Sequence, residues 1–136
     1  MAFALVLLSV TAVAKKKPGV YEKGTGKVYV FGVSTQLADS TVYITTISEV
    51  DSLDLERKTR FLPFRSQFSL QLRVYMEGQL GLRNQTTCVF YSANRKKASK
   101  RLYKIKKRYL DNKGKKLVMV DERYFRFRHP LDSWEE

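Results

Sequence analysis

The chain has 136 residues, 43% hydrophobic and 29% charged, with a formal net charge of +13. That length suits one domain with a core of its own, without metal or disulfide staples, and the balance of apolar and charged residues excludes a wholly disordered chain. Its single cysteine, Cys88, excludes an intrachain disulfide.

The first fourteen residues, MAFALVLLSVTAVA, carry no charge. They end in Ala12-Val13-Ala14, and Lys15-Lys16-Lys17-Pro18 follows. An apolar run closed by an A-x-A site predicts a secretory signal peptide over 1–14, cleaved near Ala14, and a protein exported to the periplasm or the cell exterior. The run is shorter than the ~20 apolar residues of a membrane span, so no transmembrane span is expected. The competing reading is an apolar N-terminal element of the core. Residues 15–26, KKKPGVYEKGTG, lack periodicity and read as a flexible basic lead-in. Their bare G-x-G is far from a phosphate loop, which needs a strand before it and a helix after it.

A single domain is expected over 27–128. KVYVFGVS (27–34) and TVYITTI (41–47) are β-branched and aromatic, and predict two strands joined as a hairpin. The acids Glu49, Asp51, Asp54 and Glu56 follow. They read as a helix start, capped by Asp51 or Ser52, rather than as a metal or acid–base cluster, because no His and no ligand spacing accompany them. FLPFRSQFSLQLRVYMEGQLGL (61–82) fits two periods at once: Phe68, Leu70, Leu72, Val74 and Met76 alternate, while Phe61, Phe64, Phe68, Leu72, Tyr75 and Leu80 form a helical stripe. Pro63 as a first helical residue, Gly81 as a C-terminal cap and the length of the segment favour a helix over 61–80. TTCVFYS (86–92) predicts a strand, central in the sheet, with Cys88 a small buried hydrophobe.

Residues 94–110 predict a second helix. Within it, RKKASKRLYKIKKR (95–108) has nine Lys or Arg among fourteen residues and no acid. Ala98, Leu102, Ile105 and Tyr109 form a narrow apolar seam at helical spacing. Lys96, Lys97, Lys100, Arg101, Lys104, Lys107 and Arg108 cover the rest, with Tyr103 on the basic side, and are the candidate anion-binding face. A helix lying on a sheet needs a wet face, and Lys and Arg suit it. That need does not explain the missing acids, since surface helices gain from Glu–Lys pairs four apart and lose from like pairs. KLVMV (116–120) and RYFRFR (123–128) predict two more strands, or one interrupted near Asp121-Glu122. Residues 129–136, HPLDSWEE, read as a polar, frayed tail. The predicted fold is α+β: a two-layer, mixed four- to five-stranded sheet in the order β-β-α-β-α-β, with two helices packed on it.

The charge is concentrated in the second half. Residues 95–128 carry fifteen Lys/Arg against three Asp/Glu, whereas residues 15–92 carry eleven against seven. Such an excess bears on partners rather than on fold. Export sets which partners are reachable. Anionic envelope surfaces, phospholipid headgroups or acidic polymers, suit an exported cationic helix. Nucleic acid is the expected partner only if the signal-peptide reading fails. KVYVFGV resembles the first RNA-contacting strand of an RNA-recognition motif, but a hairpin comes first here and the second signature is absent. No Cys/His pair, G-x-S-x-G, H-E-x-x-H or phosphate loop is present, and the lone His129 precedes Pro130 near the end. A non-enzymatic structural or interaction protein without cofactor is therefore expected. The run from VYVFGVS through DSTVYITTI, FSLQLRVYMEGQLGL and the basic helix resembles small exported proteins of gut-type bacteria. That resemblance covers most of 27–128, implies export and one compact domain, and brings no established activity with it.

Overall fold

The computed structural model describes residues 25–36, 40–112 and 114–131. The expected signal peptide, nearly all of the expected lead-in and the last residues of the tail lie outside the described residues.

The strands are β1 (Lys27–Thr35), β2 (Thr41–Thr45), β3 (Ser48–Asp51), β4 (Thr86–Ser92) and β5 (Lys116–Val120); the helices are α1 (Arg65–Gly78) and α2 (Arg95–Leu110). They form the expected α+β fold, a mixed five-stranded sheet with two helices. β1 is the centre. It pairs antiparallel with β2 and β3 along one side and with β4 along the other, and β5 adds parallel to β2.

β2 and β3 are two halves of one bulged strand. Val33–Thr35 pair with Val42–Ile44, whereas Lys27–Val30 pair with Ser48–Asp51. The register therefore slips by one residue around Thr46, which is what a β-bulge does. The Thr45 hydroxyl accepts the Gly32 N–H at 2.8 Å and spans the break. Residues 49–60 do not start a helix: Glu49 and Asp51 belong to β3, and the helix begins only at Arg65. The fifth strand is thus 48–51, not 123–128.

Side chains alternate along β1, so its two faces serve different helices. Val28 and Val30 join Val50, Phe68, Leu72, Met76, Val120 and Phe127 in the core beneath α1. Phe31 and Val33 join Val42 and Ile44 beneath α2, against Leu102, Ile105 and Tyr109. One helix thus packs on each face of the sheet. Gly32 points to the α1 side, where a Cβ would lie 2.6 Å from Leu72 Cδ2 and 2.9 Å from Phe127 Cζ. Glycine is required there so that helix and C-terminal segment can approach the sheet this closely.

α1 resolves the ambiguous segment in favour of the helix. Phe68, Leu72 and Met76 are fully buried, four residues apart. Leu70 and Val74, which produce the apparent strand alternation, lie on the exposed side of the helix. Pro63 precedes the helix rather than opening it, and Phe64 at the N-cap adopts a left-handed conformation with φ 60° and no capping side chain. Gly81 does turn the chain after the helix, with φ +65°, and the Leu82 N–H bonds back to the Met76 carbonyl at 2.9 Å.

The C-terminal segment is not a strand. β5 ends at Val120, and a turn follows in which the Asp121 carboxylate accepts the Arg123 N–H at 2.9 Å. That backbone hydrogen bond, with the Arg123 side chain, holds the Asp121 carboxyl below its ordinary value. Phe127 is buried and Phe125 is partly buried against the same core. The Gln71 side-chain amide exchanges two hydrogen bonds with the Arg128 backbone, at 2.8 and 3.0 Å, and the Ser48 hydroxyl accepts the Phe127 N–H at 2.9 Å. Side chains thus satisfy the backbone groups that a sheet ladder would otherwise take. The start of the tail is packed as well: Pro130 is buried, and His129 lies 5.8 Å from the Phe64 ring.

Candidate anion-binding face

α2 starts two residues after β4 and folds back over it. Asn94 caps it, its Oδ1 accepting the N–H groups of Lys96 at 2.8 Å and Lys97 at 3.3 Å. This cap satisfies two of the donors that a helix start leaves open. Only Ala98 is fully buried; Leu102, Ile105 and Tyr109 are partly buried on the sheet, as the seam predicts.

All seven candidate cations, Lys96, Lys97, Lys100, Arg101, Lys104, Lys107 and Arg108, are exposed. They divide into two flanks. Lys96 and Lys107 share the outward face with Ser99 and the two-thirds exposed Tyr103. Lys97, Arg101 and Arg108 look the other way, over β4. Lys100 and Lys104 stand on the crest and belong to both.

No described acid offsets this charge. The ion pairs Lys27–Glu49 (3.7 Å) and Arg123–Asp121 (3.4 Å) lie elsewhere, and no α2 cation forms an ion pair with a described acid. Like charges four apart on a helix cost a few tenths of a kcal/mol, roughly 0.2–0.5 for each pair. The helix carries several such pairs, Lys96–Lys100, Lys97–Arg101, Lys100–Lys104 and Lys104–Arg108 among them. Two arginines find aromatic partners instead: Arg101 sits 4.9 Å above the Phe90 ring and Arg95 sits 5.2 Å above Tyr29.

Beneath the inner flank lies a cleft of about 600 Å³, floored by Val33, Cys88, Phe90 and Ile105. This part of the site escaped the sequence reading. β4 pairs only with β1 among the described strands, so it is an edge strand rather than a central one. Cys88 is accordingly exposed and not a buried hydrophobe. An uncharged run such as TTCVFYS reads the same for a buried central strand and an unguarded edge, so the sequence carried no signal to separate them.

The acidic residues of 49–56 do not assemble into a site. Glu49 faces Lys27, Asp54 accepts the Gly26 N–H at 2.8 Å, and Glu56 accepts the Thr59 hydroxyl at 2.7 Å. Among the described residues, no three His, Cys, Asp or Glu side chains gather as a metal site, and no helix is long and apolar enough to cross a membrane. No protein-family model matches the chain, and neither does any curated protein or solved structure.

Proposed function

We propose that the protein is an exported, non-enzymatic interaction module that docks on anionic envelope surfaces, phospholipid headgroups or acidic polymers, through α2. It belongs, in this reading, with the small exported proteins that its sequence resembles. One observation carries the reading: the cations of α2 are exposed, those of its outer flank face away from the sheet, and none forms an ion pair with a described acid. Lys96, Lys100, Lys104 and Lys107 meet the headgroups from the convex side of the helix, with Tyr103 between them. Basic residues near such a surface contribute about 1 kcal/mol each within a Debye length. The helix docks by charge without inserting, because its apolar seam is already used against β1, β2 and β5.

Co-sedimentation with phosphatidylglycerol and phosphatidylcholine vesicles across a salt series tests it. Binding to the anionic vesicles alone, weakening as salt rises, is expected. Equal binding to both vesicles, or indifference to salt, would exclude α2 as the docking face. Export is tested by fractionating the native host and sequencing the N-terminus. A chain starting at Lys15 outside the cytoplasm is expected; an intact Met1 in the cytoplasm overturns export and restores nucleic acid as the partner to test.

A further inference from the structure

The inner flank of α2 borders a cleft, not the convex outer side of the helix. The cleft lies between α2 and the sheet at β4, and Lys97, Arg101 and Arg108 line it together with the crest residues Lys100 and Lys104. Five cations around one recess, with no described acid among its walls, make a site shaped for negative charge.

The floor narrows the choice of ligand. It is the side of β4 that carries Thr86, Cys88 and Phe90, and it ends at the outer edge of that strand. No described residue hydrogen-bonds the outer backbone of β4. An exposed strand edge presents a row of open N–H and C=O groups, and proteins usually blunt it with charged residues, proline or a bulge. β4 has none of these over its 7 residues: TTCVFYS contains no charge and no proline, and it pairs with β1 in unbroken register. The opposite edge differs, since β5 begins with Lys116 directly after Lys115.

We propose that β4 receives an extended acidic polypeptide segment, which adds to the sheet edge as a further strand beneath the cationic flank of α2. Its occupant is a partner protein's segment with acids at alternate positions. Strand addition takes affinity from main-chain hydrogen bonds and specificity from alternate side chains. The dimensions agree. From Lys97 to Arg108 the helix rises about 16 Å, the length of roughly five extended residues. Alternate residues of the added strand face α2, so three acids in a row of five meet the cationic wall. The intervening residues continue the other face of β4, where Thr87, Val89 and Tyr91 are partly buried, and are best β-branched or apolar. This accounts for the absence of acid from α2, because the missing anions come with the partner. The surface reading and this one share only the crest residues Lys100 and Lys104, so either can fail alone.

The probe is a fluorescein-labelled heptapeptide, Glu-Val-Glu-Val-Glu-Val-Glu, read by anisotropy on the full chain. It is compared with a peptide of the same composition with its acids in one block, with an oligonucleotide of equal charge, and with two N-methylated versions. One version is methylated on the Glu amides and the other on the Val amides, so that only one of them blocks the hydrogen bonds facing β4. The alternating peptide is expected to bind best, one methylated series to lose binding and the other to keep it. Lys97→Glu/Arg108→Glu should weaken binding by about tenfold or more. Lys96→Glu/Lys107→Glu should leave it within about threefold while reducing vesicle binding. Bound peptide should also slow alkylation of Cys88 by iodoacetamide. The proposal is overturned if the block peptide or the oligonucleotide binds as well, if both methylated series bind, if the outer pair weakens the peptide as much as the inner pair, or if Cys88 is not protected.

Discussion

α1 and α2 lie on opposite faces of one sheet, yet they are held by different physics. α1 has a poor local start: its N-cap Phe64 sits at φ 60° without a capping side chain. It persists because Phe68, Leu72 and Met76 are fully buried against the sheet and the C-terminal segment. α2 is the reverse. Asn94 caps it well, and most of its length is good helix former, but only Ala98 is fully buried. A helix anchored by its core is free to be locally strained, and a helix anchored locally is free to dedicate its surface. That difference makes α1 the structural helix and α2 the candidate for recognition.

The largest effect should come from α1. Leu72→Ala removes a fully buried side chain at the centre of the core and should lower unfolding free energy by about 2–5 kcal/mol, measured by urea denaturation. Ile105→Ala, on the partly buried seam of α2, should cost clearly less; equal losses would break the contrast. Gly32→Ala comes next. The new methyl would meet Leu72 and Phe127, and overpacking of this kind costs roughly 1–3 kcal/mol. The loss should shrink in a Gly32→Ala/Leu72→Ala double variant, where the methyl gains room, and a double-mutant cycle would measure that coupling.

The α2 predictions are smaller. Asn94→Ala removes the cap and should cost about 1 kcal/mol, with loss of helical ellipticity confined to a fraction of the total signal. Lys104→Glu replaces a cation surrounded by like charge and creates opposite-charge pairs with Lys100 and Arg108. It should raise stability by up to roughly 0.5 kcal/mol and weaken anionic vesicle binding in the same sample. A stability gain coupled to a binding loss is the signature of a face kept basic for a partner. If Lys104→Glu lowers stability, the helix is basic for the sake of the fold.

Much of this architecture could be read along the chain, but unequally. The hairpin, the seam of α2 and its basic face were legible because each is a local pattern at one period. α1 was harder: exposed Leu70 and Val74 imitate a strand, and only their exposure beside buried Leu72 separates the two periods. RYFRFR has strand chemistry, yet Gln71 and Ser48 satisfy its backbone instead of a neighbouring strand. SEVD reads as the approach to a helix, and becomes a strand because β1 is long enough to pair beyond the bulge. Half of the candidate site was hidden for the same kind of reason, since the status of β4 depends on which strands lie beside it.

The sequence by itself determined that α2 forms, which of its residues rest on the sheet, and that its wet face is cationic, because helical period, capping and charge are properties of consecutive residues. Only the tertiary structure decided that β4 is an edge among the described strands, that Cys88 is exposed, and that one flank of α2 borders a cleft while the other faces outward. Those facts depend on long-range pairing, in which a residue's neighbours come from distant parts of the chain and its own composition leaves the choice open.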